Sequence, residues 1–159
     1  MCQYFNKRVP LGKDIIAYKM LKIIRDKRTG IIATIKSPYQ FKPYRLNERY
    51  DDSGGLYPDW SDGMLFETVI GPRYMHAFAK AEDAFHLAFM RNGRRRIYDR
   101  VYNLVPREEF IVAKVILHNT EEGDEIYSGS FRTIEKDYDS YVSRSMTILE
   151  ILEDVPDTQ

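Results

Sequence analysis

One stretch of this chain repeats with a helical period, and it is embedded among segments that do not. Ala81, Ala84, Phe85, Ala88 and Phe89 fall at i, i+3, i+4, i+7 and i+8, a single apolar stripe. Glu82 and Asp83 stand in its first turn, where they suit the helix dipole, and Gly93 after Asn92 reads as a terminator. The pattern predicts one main helix over about residues 80–92. With a single such helix there is no βαβ alternation to build a parallel sheet. The fold class that follows is α+β: a mostly antiparallel sheet of six to eight strands with that helix packed on it.

The strands are read from β-branched runs between turn signals. Residues 14–24 are apolar on both faces, residues 25–30 supply polar turn chemistry ending in Gly30, and residues 31–35 resume the β pattern, a hairpin. Further strands are expected over 64–70, 73–78, 108–118, 125–127, 130–134 and 141–152, followed by a short tail. The identity of the basic stretch after Gly93, strand or short helix, stays open. Residues 36–63 differ in character. Pro38, Pro43, Pro58, Gly54, Gly55 and Gly63 punctuate a run carrying Tyr39, Phe41, Tyr44, Tyr50, Tyr57 and Trp60. So long an aromatic connection is expected to lie against the body and to carry binding residues, with Tyr44, Tyr57 and Trp60 the candidates and residues 50–55 the mobile tip.

Composition bounds the function classes. At 159 residues with 43% apolar and 30% charged side chains, one globular domain is expected over residues 1–159. No run approaches 18 consecutive apolar residues, so no helix spans a membrane, and no leader is visible before Lys13; a cytoplasmic protein is expected. The single cysteine, Cys2, excludes an internal disulfide and a multi-cysteine zinc site; its thiol could act as an N-terminal nucleophile only once Met1 is removed. The 24 basic and 24 acidic residues cancel in sum but not along the chain. Residues 1–50 carry 12 basic and 3 acidic groups, a net +9, and residues 121–159 carry 3 and 11, a net −8. Between Arg91 and Arg107 six arginines face one acid, Asp99, interleaved with Tyr98 and Tyr102. That is the composition of a phosphate-and-stacking surface, with Arg94, Arg95, Arg96 and Arg100 as its candidate residues.

Chemistry-bearing motifs are few. The three histidines, His76, His86 and His118, are at least ten residues apart and form no metal-ligand spacing, so no metal is expected. Neither a phosphate-binding glycine loop nor a nucleophile elbow is present, and no cofactor is expected. His118 reads as a strand-end residue, His86 as a half-buried helix-flank residue, and Glu108-Glu109 and Glu121-Glu122 as solvated pairs. His76 stands out, because it alternates with Met75 and Ala77 just before the helix.

Several short words recur together: Ala17-Tyr18-Lys19, Ser37-Pro38-Tyr39, Tyr74-Met75-His76-Ala77-Phe78, Glu82-Asp83-Ala84, Val112-Ala113-Lys114-Val115, Gly123-Asp124-Glu125-Ile126 and the segment 147–152. Over roughly residues 15–152 the chain resembles small bacterial and phage domains of unknown function, in which a Tyr-Lys strand precedes a Gly-Phe-His run and a helix. It also resembles, more faintly, the ADP-ribosyltransferase fold. That second resemblance implies a transferase in which Lys19 stands near a ribose-holding position, His76-Ala77-Phe78 replaces the middle motif, and Glu150 stabilises an oxocarbenium-like centre.

Three function classes follow. The first is a non-catalytic binding or interaction domain of microbial or phage type, whose partner is a small ligand, a protein or a second copy of the chain. The second is the transferase, using Glu150 with His76 or Tyr18, which must then share one concave pocket. The third is polyanion or nucleic-acid binding through Arg91 to Arg107.

Overall fold

The computed structural model describes residues 2–37, 43–51, 75–104 and 108–154, residues 2–6 by their backbone. The expected strand over 64–70, most of the expected tip at 50–55, the candidates Tyr57 and Trp60, and the tail from 155 lie outside the described residues.

Among the described residues ten strands and one helix alternate in the order β1 (Cys2–Arg8), β2 (Ile15–Arg25), β3 (Ile32–Lys36), β4 (Pro43–Tyr44), β5 (Arg49–Asp51), β6 (Met75–Phe78), α1 (Ala81–Val101), β7 (Glu108–Leu117), β8 (Ile126–Arg132), β9 (Asp137–Ser143) and β10 (Ser145–Leu152). Every pairing is antiparallel, along the path β1-β8-β9-β6-β2-β7-β10-β5, with β3 added to β2 and β4 to β3. The α+β architecture read from the sequence is the one observed.

The expected closing strand over 141–152 is two strands separated by Arg144 alone. Before the bend this segment pairs with β8 and β6; after it, with β7 and β5. The sequence of neighbours β9-β6-β2-β7-β10 therefore returns to its own starting segment, and the sheet folds into a ring, as sheets do where one strand turns a corner between two sections. The corner is held by its own polar groups. Ser143 Oγ donates to the Ser145 carbonyl at 2.7 Å, Arg144 N–H to Glu125 O at 2.9 Å, and His118 N–H to Ser145 O at 3.0 Å.

Strand alternation then sorts side chains into two cores. Inside the ring lie Ala17, Leu21, Met75, Ala77, Ala113, Val115, Leu117, Met146 and Ile148, with half-buried Tyr141 against them, so all five strands contribute. On the outer face Tyr18, Met20, Phe78, Val112, Phe131 and Tyr138 receive the helix through Ala81, Ala84, Leu87 and Ala88. The alanines let α1 approach the sheet closely, and Asp83, buried in the first turn, is neutralised by Lys136 Nζ at 3.2 Å.

The helix runs well past Gly93, to Val101. Gly93 has no left-handed backbone and stays helical; the terminator is Asn103, at φ 54°. Leu104 N–H bonds to Asp99 O at 2.8 Å and Asn103 N–H to Arg100 O at 3.4 Å, the paired hydrogen bonds of a Schellman ending with Asn in place of Gly. The basic stretch left open by sequence is thus helix. Phe89, placed in the apolar stripe by spacing, points instead to solvent, and Leu87 takes the buried position.

One side chain stitches helix to sheet. Asn92 Nδ2 donates to Phe110 O at 2.8 Å, while Phe110 N–H donates to Asn92 Oδ1 at 2.7 Å. β10 pairs with β7 only as far as Val112, so the carboxamide continues the ladder where the strand stops. Replacing Asn92 by Ala leaves both backbone groups of Phe110 without these partners, and a loss of about 1–3 kcal/mol in denaturant-derived stability is expected. Asn92→Asp, which keeps the acceptor but not the donor, is expected to recover part of it.

Candidate binding groove beside the helix

Two depressions lie along one flank of α1 and share three lining residues. The larger, about 510 Å³, is walled by Phe85, Ala88 and Phe89 of the helix and by Ile23, Phe110, Ile151 and Leu152 of the sheet. Its apolar surface comes from Phe85, Phe110 and Leu152, which are only half-buried against the helix-side core. The smaller, about 290 Å³, is lined by Arg25, Asn92, Arg95, Arg96, Asp99, Glu108 and Glu109. Arg25, Asn92 and Glu109 border both, so an apolar groove opens into a charged cleft. Both volumes are of the size that small-ligand sites have.

The charged end is largely self-neutralised. Lys22 Nζ lies 3.1 Å from Glu108, Arg95 lies 3.4 Å from Asp99 and 3.8 Å from Glu108, and Arg25 lies 3.4 Å from Glu109. Burial alone would raise the Glu108 pKa. The Lys22 hydrogen bond and charge, with Arg95 and Lys36 behind them, outweigh it and hold the carboxyl below its ordinary value. The glutamates expected to be simply solvated are therefore members of an ion-pair network. Cations also flank the aromatic floor, with Lys22 Nζ 5.5 Å and the Arg91 guanidinium 5.9 Å from the Phe110 ring centre. Arg96 completes no ion pair with a described residue. With Lys22 counted, four cations meet Asp99, Glu108 and Glu109, and Arg96 is the surplus one.

Arg94 and Arg100 are likewise exposed on the helix without an ion pair among the described residues, whereas Arg95 is half-buried and stacked 5.3 Å from the Tyr98 ring. Three of the four candidate arginines thus present their charge to solvent. Tyr44, a binding candidate by sequence, is instead buried in the inner core, in edge-to-face contact with Tyr50 at 4.9 Å.

Comparison with known protein families, with curated proteins and with solved structures finds no match.

His76 is buried on β6, its ring 4.6 Å from Phe78 and 5.2 Å from Phe131. Tyr18 is buried beneath the helix, and Glu150 is exposed on β10. The register Phe78↔Tyr18↔Lys114↔Glu150 puts three strand spacings between β6 and β10, about 14 Å at some 4.8 Å each. None of the three residues lines the groove or the charged cleft. Lys19 occupies the opposite, inner face, where its Nζ donates to the His76 carbonyl at 2.7 Å. His86 is exposed, against the half-buried position expected for it.

His118 joins a polar network at the far end of the sheet. Its Nε2 lies 2.7 Å from Thr147 Oγ1 and its Nδ1 3.7 Å from Asp14, whose other oxygen accepts the Asn119 N–H. Beside it Arg49 joins Asp51, Glu121 and Asp124, and Asp51 hydrogen-bonds Ser145, the main reason its carboxyl pKa is lowered. This network ties β5 and the β1–β2 connection to the sheet.

Burial holds the His76 imidazole well below its ordinary pKa of 6.5, and the charge of Lys19 adds to the effect. The unfolded chain binds a proton at this histidine below about pH 6.5 and the folded chain does not, so stability falls as the pH drops from 7 toward the folded-state value. His76→Phe, matched to the surrounding rings, is expected to flatten stability between pH 7 and 5 in denaturant titrations. An unchanged slope in the variant would assign the acid loss to other groups.

Proposed function

We propose that the protein is a non-catalytic binding domain whose ligand is an elongated amphiphile with one anionic end, held in the groove beside α1. The observation that carries this reading is the continuity of the apolar groove with a cleft whose surplus charge is Arg96. An alkyl or aryl body lies against Phe85, Phe110, Ile151 and Leu152, where it removes apolar surface from water on both sides. The anionic end lies at Arg96, whose guanidinium is open to bidentate pairing with a carboxylate or sulfate. A polar ligand lacking the apolar body gains little here, because Asp99, Glu108 and Glu109 already occupy the neighbouring cations.

Polyanion binding is the second reading, supported by the exposure of Arg94, Arg96 and Arg100. Exposed Ile97 and Val101 among them favour a partner with apolar chemistry over a bare phosphate chain.

Calorimetric titration with laurate, dodecanol and dodecyltrimethylammonium separates the contributions. Laurate is expected to bind with one site per chain, dodecanol more weakly, and the cationic amphiphile not at all. Arg96→Glu is expected to weaken laurate by about tenfold or more, equivalent to roughly 1.4 kcal/mol. Ile151→Asp, which places a charge in the apolar wall, is expected to abolish binding. Laurate binding that is absent, or indifferent to both substitutions, overturns the reading.

A further inference from the structure

The outer face of α1 holds a glycine for which the fold gives no reason. Gly93 lies in the middle of a 21-residue helix, with helical backbone, and a Cβ built there meets nothing within 4 Å. A glycine in a helix interior costs about 0.5–1 kcal/mol relative to alanine, and no close approach among the described residues offsets that cost at Gly93. Large apolar side chains flank it on the exposed side. Phe89 is 72% exposed and Ile97 65%, one turn before and one turn after Gly93.

The helical spacing supplies the pattern. Glu82, His86, Phe89, Gly93, Arg96 and Arg100 are separated by 4, 3, 4, 3 and 4 residues, so they share one face of the helix, with Phe89 and Gly93 at its centre. The seam is self-complementary under an antiparallel two-fold axis near Arg91. Glu82 then meets Arg100, His86 meets Arg96, and Phe89 meets Gly93, each pair occurring twice. Acid near the N-terminal end and arginine toward the C-terminal end also fit the helix dipoles of the opposite chain. The chain's formal net charge of zero removes overall repulsion between copies.

We infer that α1 is a homodimer interface in which two copies pair antiparallel, the Phe89 ring of each seated over Gly93 of the other and Glu82–Arg100 ion pairs closing both ends. The missing side chain at Gly93 is what lets the helices approach. The pairing uses Phe89 and Arg96, which also border the groove and cleft, but it can form with the groove empty, and Glu82, Gly93 and Arg100, on which its test rests, line neither depression.

Sedimentation equilibrium of the full chain, with thermal unfolding run alongside, tests this. The wild type is expected to be dimeric. Gly93→Leu fills space that is open in the single chain, so it is expected to fold with undiminished stability as a monomer while the dimer dissociation constant rises by about tenfold or more. Glu82→Arg places like charges at both ends and is expected to give monomer. Adding Arg100→Glu to it restores opposite charges and is expected to restore the dimer. A wild type that stays monomeric at its solubility limit overturns the proposal. So does a dimer that persists in Gly93→Leu, or a charge-reversed pair that fails to reassociate although each protein is folded.

Discussion

The bend at Arg144 is the constraint on which the rest of the molecule depends. A single segment supplies β9 on one side of it and β10 on the other, and those strands border opposite sections of the same sheet. That sharing forces the sheet to curl, creates an inside and an outside, and so decides which residue of every alternating pair meets the inner core. The Ser143 and Ser145 groups that fix the bend satisfy backbone atoms that a strand leaving its ladder would otherwise bury unpaired. The helix is packed on the outside because the inside is filled by the ring's own side chains.

The location of the groove follows from the same geometry. α1 begins directly after β6 and is held near its start by the alanine contacts and by Asp83 with Lys136. It crosses β2 and β7, and by its middle it passes the point where β10 stops pairing. There β10 no longer borders β7, and Asn92 takes its place on the backbone of Phe110, with the Arg95–Glu108 ion pair following one turn later. Beyond it the helix carries mostly arginine and exposed apolar residues. A proximal half built for packing and a distal half built for contact share one element.

Much of the fold was legible. The β-branched runs at β2 and β7 and the antiparallel character follow from period and turn chemistry, because those signals are local. The helix start was legible for the same reason. Its end was not, since glycine was taken as the terminator while Asn103 adopts the left-handed turn and Asn92 holds the intervening residues against β7. The bend at Arg144 had no glycine or proline to announce it; serine side chains do that work through contacts with distant backbone. Among the site residues, the exposed arginines were recognisable from charge, whereas Phe110, Ile151 and Leu152 looked like ordinary strand residues. Only the arrangement of strand ends shows that the helix leaves them uncovered. His76 drew notice by its type, and its burial between Phe78 and Phe131 reflects pairing across β6, β9 and β8 that no local pattern encodes.

The outermost pairing of the sheet carries a consequence for how the chain comes to be folded. β1 lies against β8 with Cys2 opposite Arg132, and β2 spends its whole length against β7, some 90 residues later. A nascent chain emerging from a ribosome would leave the long edge of β2 that β7 covers unpaired, with β3, β6 and α1 its only described companions until β7 was made. The ring could close only once β10, the last of the described strands, had appeared. A chain stalled before β7 would present a long unpaired β edge to its neighbours.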